Sequence, residues 1–387
     1  MDLQDVTLGR LTAAQRAAWQ HVVEVVRNRQ AGAQTRVTHL LRNAGCPRPM
    51  FDTAMNAVRH HARVILHFHP DRIGGKSMTV AEALLKNGQY RSQFETGLSS
   101  GSLTAYPGGP RDEWERTLFG GAYHRQDSAV GERPKYGALE LIRYPDGPWP
   151  RFGSCYFLLR QEVIGRTSFT FSGSEQPDAS ERLGTIDCLD GVLAPLLAEM
   201  ANGAGTQVPW PPFVAPTLGV ENLTIAGLLE RLSNELSLPR QPPSIGTPGR
   251  VLDTGIEAQV HGPIDLDEDV EQLVVDPAFR GTPTGDVLSE LCRRYGVALD
   301  WHCGFRLAAQ DVPEHFRGPA VSRLARRIAG ESVIDAAVIG AAQVALRSRP
   351  EEWRDLGTPE EVLQHLKQLW HVLVHYGTPT VSSGAAA

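Results

Sequence analysis

Cysteine is scarce and unpatterned: Cys46, Cys155, Cys188, Cys292 and Cys303 are odd in number and nowhere form C-x-x-C. That excludes a disulfide framework and a zinc knuckle, and the five read as small apolar residues in a reducing compartment. No uninterrupted apolar run is long enough to cross a bilayer, and the opening MDLQDVTLGR has neither a basic n-region nor an apolar h-region. The chain is therefore expected to have no membrane partner, and to be cytoplasmic or exported as an effector without a cleavable signal peptide. Basic charge does not predominate either. With 38 Lys and Arg against 44 Asp and Glu the net charge is −6, a field that repels a phosphate backbone and disfavours non-specific nucleic-acid binding. No repeat of solenoid length is visible.

What is present is ordinary in bulk and informative in detail. At 387 residues the chain has room for two or three domains and a sizeable core, and its 38 Gly and 27 Pro predict many turns and loops. The reading divides it into a helical N-terminal region (1–75), an α+β catalytic core (76–310) and a helical C-terminal region (311–387).

In the first region Thr12 and Gln15 form a capping-box pattern ahead of Trp19, Val22, Val23 and Val26. Phe51, Met55, Val58, Ala62 and Leu66 make one helical stripe, predicted to end at Pro70. In the core, KYGALELIRY, GSCYFLLR, RTSFTFSG, IEAQVHGPI and VALDWHCGFRLA read as strands. Helices are expected around Trp114, over Val192 to Met200 and over Gly285 to Tyr295. The proline-rich VPWPPFVAPTLG and LPRQPPSIGTPG read as long loops over a site. Near the C-terminus Thr358, Pro359 and Glu361 predict a capped helix carrying Val362, Leu366, Leu369, Trp370 and Leu373.

HFHPDRIGGKS admits several chemistries. His67, His69 and Asp71 supply nitrogen and oxygen ligands for a metal-dependent hydrolase, although two histidines two apart on a helix diverge and converge only on a strand. His69, Pro70 and Asp71 also spell the hallmark of J-type helical interaction modules. A phosphate loop at Gly75, Lys76 and Ser77 is disfavoured, because Pro70 stands where the pattern wants glycine. The plain alternative is a helix stop with local polar contacts from Asp71 and Arg72.

NGQYRSQFETGLSSGS places Arg91 at an expected strand start led by Tyr90, where its planar guanidinium suits a diphosphate. Gly97 and Gly101 allow close backbone approach, and Ser92, Ser99, Ser100 and Ser102 add short donors. An arginine paired to Glu95 across a turn is the structural alternative. Strand alternation puts Ser168, Thr170 and Ser172 on one face of RTSFTFSGS, as a hydroxyl ladder. It likewise puts Glu257, Gln259 and His261 on one face of DTGIEAQVHG. A carboxylate beside an amide suits stabilisation of a sugar cation, the charge meeting the oxocarbenium and the amide fixing a hydroxyl. Arg133, Lys135 and Arg151, near strand starts, suit either phosphates or solvated strand ends.

FHPDR, GQYRSQFETG, RPKYGAL, RFGSCYF and EAQVHG together resemble the signatures of a bacterial family catalogued as a domain of unknown function, over roughly Phe68 to Phe305. The order Arg91, Ser168 to Ser172, Glu257 also resembles the arginine, Ser-Thr-Ser, glutamate order of the ADP-ribosyltransferase superfamily. That second resemblance implies a split β-sandwich core and an enzyme that cleaves the nicotinamide glycosidic bond of NAD. ADP-ribose would pass to an unknown acceptor: protein, nucleic acid or small molecule. It implies a catalytic set of Glu257, Gln259 and Arg91, NAD contacts from Arg91, Ser92, Ser168, Thr170, Tyr136 and Arg151, and no metal. Two departures stand: Glu257-Ala258-Gln259 reverses the usual Gln-x-Glu, and Ser168-Phe169-Thr170 replaces Ser-Thr-Ser.

Overall fold

The computed structural model describes residues 8–74, 78–98, 105–202, 217–238 and 254–380. Residues 75–77, where a phosphate loop is disfavoured, the serines at 99, 100 and 102 with Gly101, and most of both proline-rich passages lie outside them.

The chain is α+β. Ten longer helices are labelled here, α1 Ala13–Asn43, α2 Arg48–His61, α3 Val80–Asn87, α4 Pro110–Leu118, α5 Asp190–Ala201, α6 Ile225–Glu235, α7 Pro283–Tyr295, α8 Pro319–Ala329, α9 Ala336–Ser348 and α10 Pro359–Tyr376. The strands are β1 Arg63–Phe68, β2 Lys135–Glu140, β3 Cys155–Leu159, β4 Thr167–Phe171, β5 Leu183–Thr185, β6 Ile256–Val260, β7 Val270–Val275 and β8 Ala298–Trp301, with a small ribbon of β9 Leu307–Ala308 and β10 Val333–Ile334. The first eight form one sheet in the order β5-β4-β6-β2-β1-β3-β7-β8, parallel between β7 and β8 and antiparallel elsewhere.

Capping explains several helix starts. Thr12 with Gln15 begins α1 and Thr358 with Glu361 begins α10, each in the reciprocal arrangement read from the sequence. The stripe from Phe51 to Leu66 is not one helix. α2 stops at His61 two residues after Arg59, a cation that suits a helix C-terminus, and Ala62 turns extended to open β1. Leu66, at helical spacing from Met55, is buried from a strand instead, because β1 sits in mid-sheet where both faces are covered. The sheet thus takes a central strand from within the first 75 residues. One large apolar cluster runs from Val37 to Val374 and includes Phe51 of α2, Phe157 of β3 and Leu366 of α10.

The two sheet faces differ chemically. Leu66, Leu139, Phe157, Phe169, Ala258 and Leu273 point to one, into the main core with Leu193 of α5, Leu228 of α6 and Leu288 of α7. Directly paired residues share a face, so the opposite side carries the row Thr185, Ser168, Gln259, Tyr136 and the row His67, Tyr156, Val274, Asp300. Tyr156 and Val274 of the second row form a small apolar island with Ile65 and Leu158.

Candidate functional site

The polar face holds a hydrogen-bonded chain centred on β6. Gln259 Nε2 donates to Glu257 Oε1 at 3.0 Å and to Thr170 Oγ1 at 2.8 Å, while Ser168 Oγ donates to Gln259 Oε1 at 2.9 Å. Ser168 Oγ also meets His261 Nε2 at 3.2 Å, and Tyr123 Oη meets His261 Nδ1 at 2.6 Å. Ser168, Thr170, Gln259 and His261 are fully buried, so the hydroxyl ladder addresses this chain and not open solvent. Ser172 falls outside it: β4 ends at Phe171 and Ser172 takes a positive φ of 73°.

Glu257 ends the chain and is half-buried. The Ser174 backbone N–H donates to the same Oε1 at 3.1 Å. Burial, with the neighbouring charge of Glu175, raises its pKa, against the pull of the Ser174 and Gln259 donors and of Arg111. Burial pushes His261 down to about 3, so its ring is neutral at physiological pH.

A second carboxylate lies over β2 on α4. Tyr136 Oη donates to Glu115 Oε1 at 2.7 Å, and Arg133 Nη1 donates to Glu115 Oε2 at 2.8 Å. Burial lifts Glu115 to about 7 despite these partners. The Arg111 guanidinium stands 5.0 Å above the Tyr136 ring and 5.6 Å above Trp114. It makes no ion pair or hydrogen bond with the described residues, and its Nε is buried. Glu257, Gln259, Tyr136, Glu115 and Arg111 thus form one neighbourhood where β6, β2 and α4 meet.

Of the other predicted contacts, Arg133 joins this neighbourhood through Glu115. Tyr90 does not lead a strand; Ser92 caps a one-turn helix, Gln93–Thr96, with Glu95 returning a bond to the Ser92 N–H. The glycines at 88 and 97 close the two flanking helices in the left-handed conformation. Ser92 is therefore a buried cap, Glu95 is committed to it, and Arg91 is exposed. Arg133 is held by Asp112 and Glu115 under the Phe94 ring, and Lys135 Nζ donates to the Gly131 and Gly262 carbonyls. Both serve the fold.

His67 lies on β1 and His69 just past its end, neither of them on a helix. His67 Nε2 contacts the Pro148 carbonyl at 2.8 Å and His69 Nδ1 contacts Ser154 Oγ at 3.3 Å. His69, Pro70 and Asp71 are buried, not displayed as a loop. Among the described residues no three His, Cys, Asp or Glu side chains come together as a metal site. Arg151 lies near this end too, 5.5 Å over Trp149, whose indole abuts Gly255 beside the β6 start.

Arg111, Glu115, Tyr123 and Trp149 were not singled out from sequence. The signal for two of them lay in RDEWE: on a helix, Arg111 and Glu115 fall at i and i+4 on one face.

The fold and this polar sheet face define an α+β protein with a carboxylate-centred site. The chain belongs to the family described as "Protein of unknown function (DUF3626)", whose model matches residues 63–376. No curated protein matches it. Among the described residues no helix is long and apolar enough to cross a membrane.

Proposed function

We propose that the protein cleaves the nicotinamide N-glycosidic bond of NAD, with Glu257 facing the ribose. The observation that carries this reading is the Glu257 carboxylate held by Gln259 and the Ser174 N–H at the end of an otherwise buried hydrogen-bond chain. A carboxylate so fixed does not reorganise as charge builds, which is where electrostatic stabilisation is most effective.

In the proposed reaction the C1′–N bond breaks and nicotinamide leaves with the bonding pair. Positive charge spreads over C1′ and the ring oxygen, opposite Glu257. An acceptor nucleophile then bonds to C1′ and gives up its proton; water in that role makes the enzyme a glycohydrolase, another acceptor an ADP-ribosyltransferase. Gln259, Ser168 and Thr170 orient the carboxylate. Tyr136 and Trp114 offer flat apolar surface, and Arg111 is the cation nearest the site for the diphosphate, a role that residue order alone assigns to Arg91. The likeness to the ADP-ribosyltransferase superfamily, its split β-sandwich included, is part of this proposal and rests on the order of Arg91, Ser168 with Thr170, and Glu257.

The test is incubation with NAD, alone and with cell lysate, following nicotinamide release and transfer of label from the adenosine half. Release without transfer identifies a glycohydrolase; release with transfer identifies a transferase. Absence of both, in protein that is folded, refutes the reading.

A further inference from the structure

Five side chains of the polar sheet face are joined by hydrogen bonds that can run in one direction only, and their chemistry fixes which. An ionised carboxylate accepts and never donates, so Gln259 must turn its amide nitrogen toward Glu257 Oε1, 3.0 Å away. The second amide hydrogen goes to Thr170 Oγ1 at 2.8 Å, which leaves Gln259 Oε1 as an acceptor. Ser168, the direct partner of Gln259 across β4 and β6, spends its one hydroxyl proton there at 2.9 Å. Toward His261 Nε2, 3.2 Å away, Ser168 Oγ can then only accept. A neutral imidazole has one proton, and this contact places it on Nε2. Nδ1 is left as an acceptor, and the Tyr123 hydroxyl donates to it at 2.6 Å.

We propose that Tyr123 and His261 are positioning residues for Glu257, acting through this one-way series from the Tyr123 hydroxyl by way of His261, Ser168 and Gln259 to the carboxylate. Tyr123 comes from a turn off the sheet, Ala122–His124, and anchors the far end. Only the Nε2–H tautomer of His261 and one orientation of the Gln259 amide satisfy every link. Turning either one over sets two donors or two acceptors against each other, which a buried network tolerates poorly.

The surroundings leave the series no substitute partners. Tyr123 is 3% exposed, and Ser168, Gln259 and His261 are fully buried. Trp19 and Phe119 meet the His261 ring edge-on at 5.9 and 5.1 Å, and the Tyr123 ring lies within 11° of parallel to it. Among the described residues neither ring nitrogen has another hydrogen-bond partner. Charged groups stand near each part: Arg166 and Lys135 by His261, Glu115, Glu132 and Arg133 by Tyr123, and Glu175 and Arg111 by Glu257. None of them hydrogen-bonds to a side chain of the series among the described residues. Burial keeps His261 neutral and Tyr123 protonated, the two states the series requires.

The effect on catalysis rests on the reading of Glu257 proposed above; the series itself does not. The test compares the wild type with Tyr123→Phe and Ser168→Ala, each checked for folding by circular dichroism. Nitrogen-15 NMR should find the His261 proton on Nε2 in the wild type. In Ser168→Ala it should move toward Nδ1, where Tyr123 Oη can accept it, a change that a serine serving only to pack would not cause. With Gln259 less firmly held, the Glu257 carboxylate, followed by carbon-13 NMR, should titrate at higher pH in both variants, by up to about one unit. On NAD both should lose about tenfold in kcat with KM unchanged, the weight of one hydrogen bond. A wild type that shows the Nε2 proton and variants that show the shifted titration, without nicotinamide release, uphold the series and refute the reaction. A proton on Nδ1 in the wild type, or a Glu257 titration unmoved in both variants, overturns the proposal.

Discussion

Gln259 Nε2 lies 3.0 Å from Glu257 Oε1, two residues earlier on the same strand, and this bond between neighbours on one face of β6 sets the direction of the carboxylate. Gln259 is itself fixed by Ser168 and Thr170 on the adjoining strand, so Glu257 is oriented by a sheet and not by a loop. Glu257→Gln should keep the fold, because an amide oxygen can still accept from Ser174 and Gln259. It should lower nicotinamide release by roughly 10²- to 10³-fold, the usual loss when a positioned electrostatic group is removed. Circular dichroism and a nicotinamide assay on the same sample check both halves.

The acid side of the pH profile should report Glu257. Its pKa is raised by burial and then by Glu175, and catalysis needs the ionised form, so activity should fall as pH drops through a value above the ordinary glutamate range. Removing the charge at 175 favours ionisation of Glu257. Glu175→Gln should therefore shift the acid limb to lower pH; an unmoved limb, measured as kcat/KM against pH, would assign the limb to another group.

Arg111→Lys and Arg91→Lys separate two assignments of the diphosphate cation. Arg111 hangs over Tyr136 and Trp114 next to Glu257, whereas Arg91 is exposed outside the Ser92 cap. Arg111→Lys is expected to raise KM for NAD by at least about tenfold, since an ammonium does not copy the planar fork. Arg91→Lys should leave KM within experimental error; the reverse result returns the role to Arg91.

Stability should carry the mark of His261. With a folded pKa of about 3 against an unfolded value near 6.5, its neutral form stabilises the fold at neutral pH, and that contribution is lost as pH falls from about 6.5 toward 3. Glu115 at about 7 and Asp276 at about 6 act in the opposite sense, because the folded state holds their protons more tightly. The wild type should therefore be compared with His261→Gln across pH 7 to 4. The difference between the two in unfolding free energy should shrink as pH falls, by up to about 1.4 kcal/mol per pH unit. A constant difference would mean that His261 titrates normally in the fold.

Gly137→Ala tests the tight pairing of β1 with β2. A Cβ at 137 would stand 2.3 Å from the Ile65 carbonyl oxygen, a backbone atom that cannot swing aside. Destabilisation of more than about 3 kcal/mol is expected, read from chemical denaturation.

Local signals in the sequence carried the helix starts and much of the sheet. Thr12 with Gln15 and Thr358 with Glu361 cap as read, because a capping box is completed within four residues and needs nothing from elsewhere in the chain. The alternation that set Glu257 and Gln259 on one face of a strand also holds, for the same reason of short range. The helical reading of Phe51 to Leu66 failed past His61: apolar spacing fits helix and buried strand alike, and the choice fell to the partners that β1 finds in β2 and β3. In the same way Ser92-x-x-Glu95 is a capping box within the stretch read for a ligand-facing arginine.

By itself, then, the sequence determined which residues could cap, alternate and titrate, since those properties depend on neighbours a few positions away. Only the tertiary structure decided which of them meet. Glu115 reaches Tyr136 and Tyr123 reaches His261 through strand pairing and helix packing between residues far apart in the chain, and burial there, not residue type, shifts the pKa of Glu115 and His261.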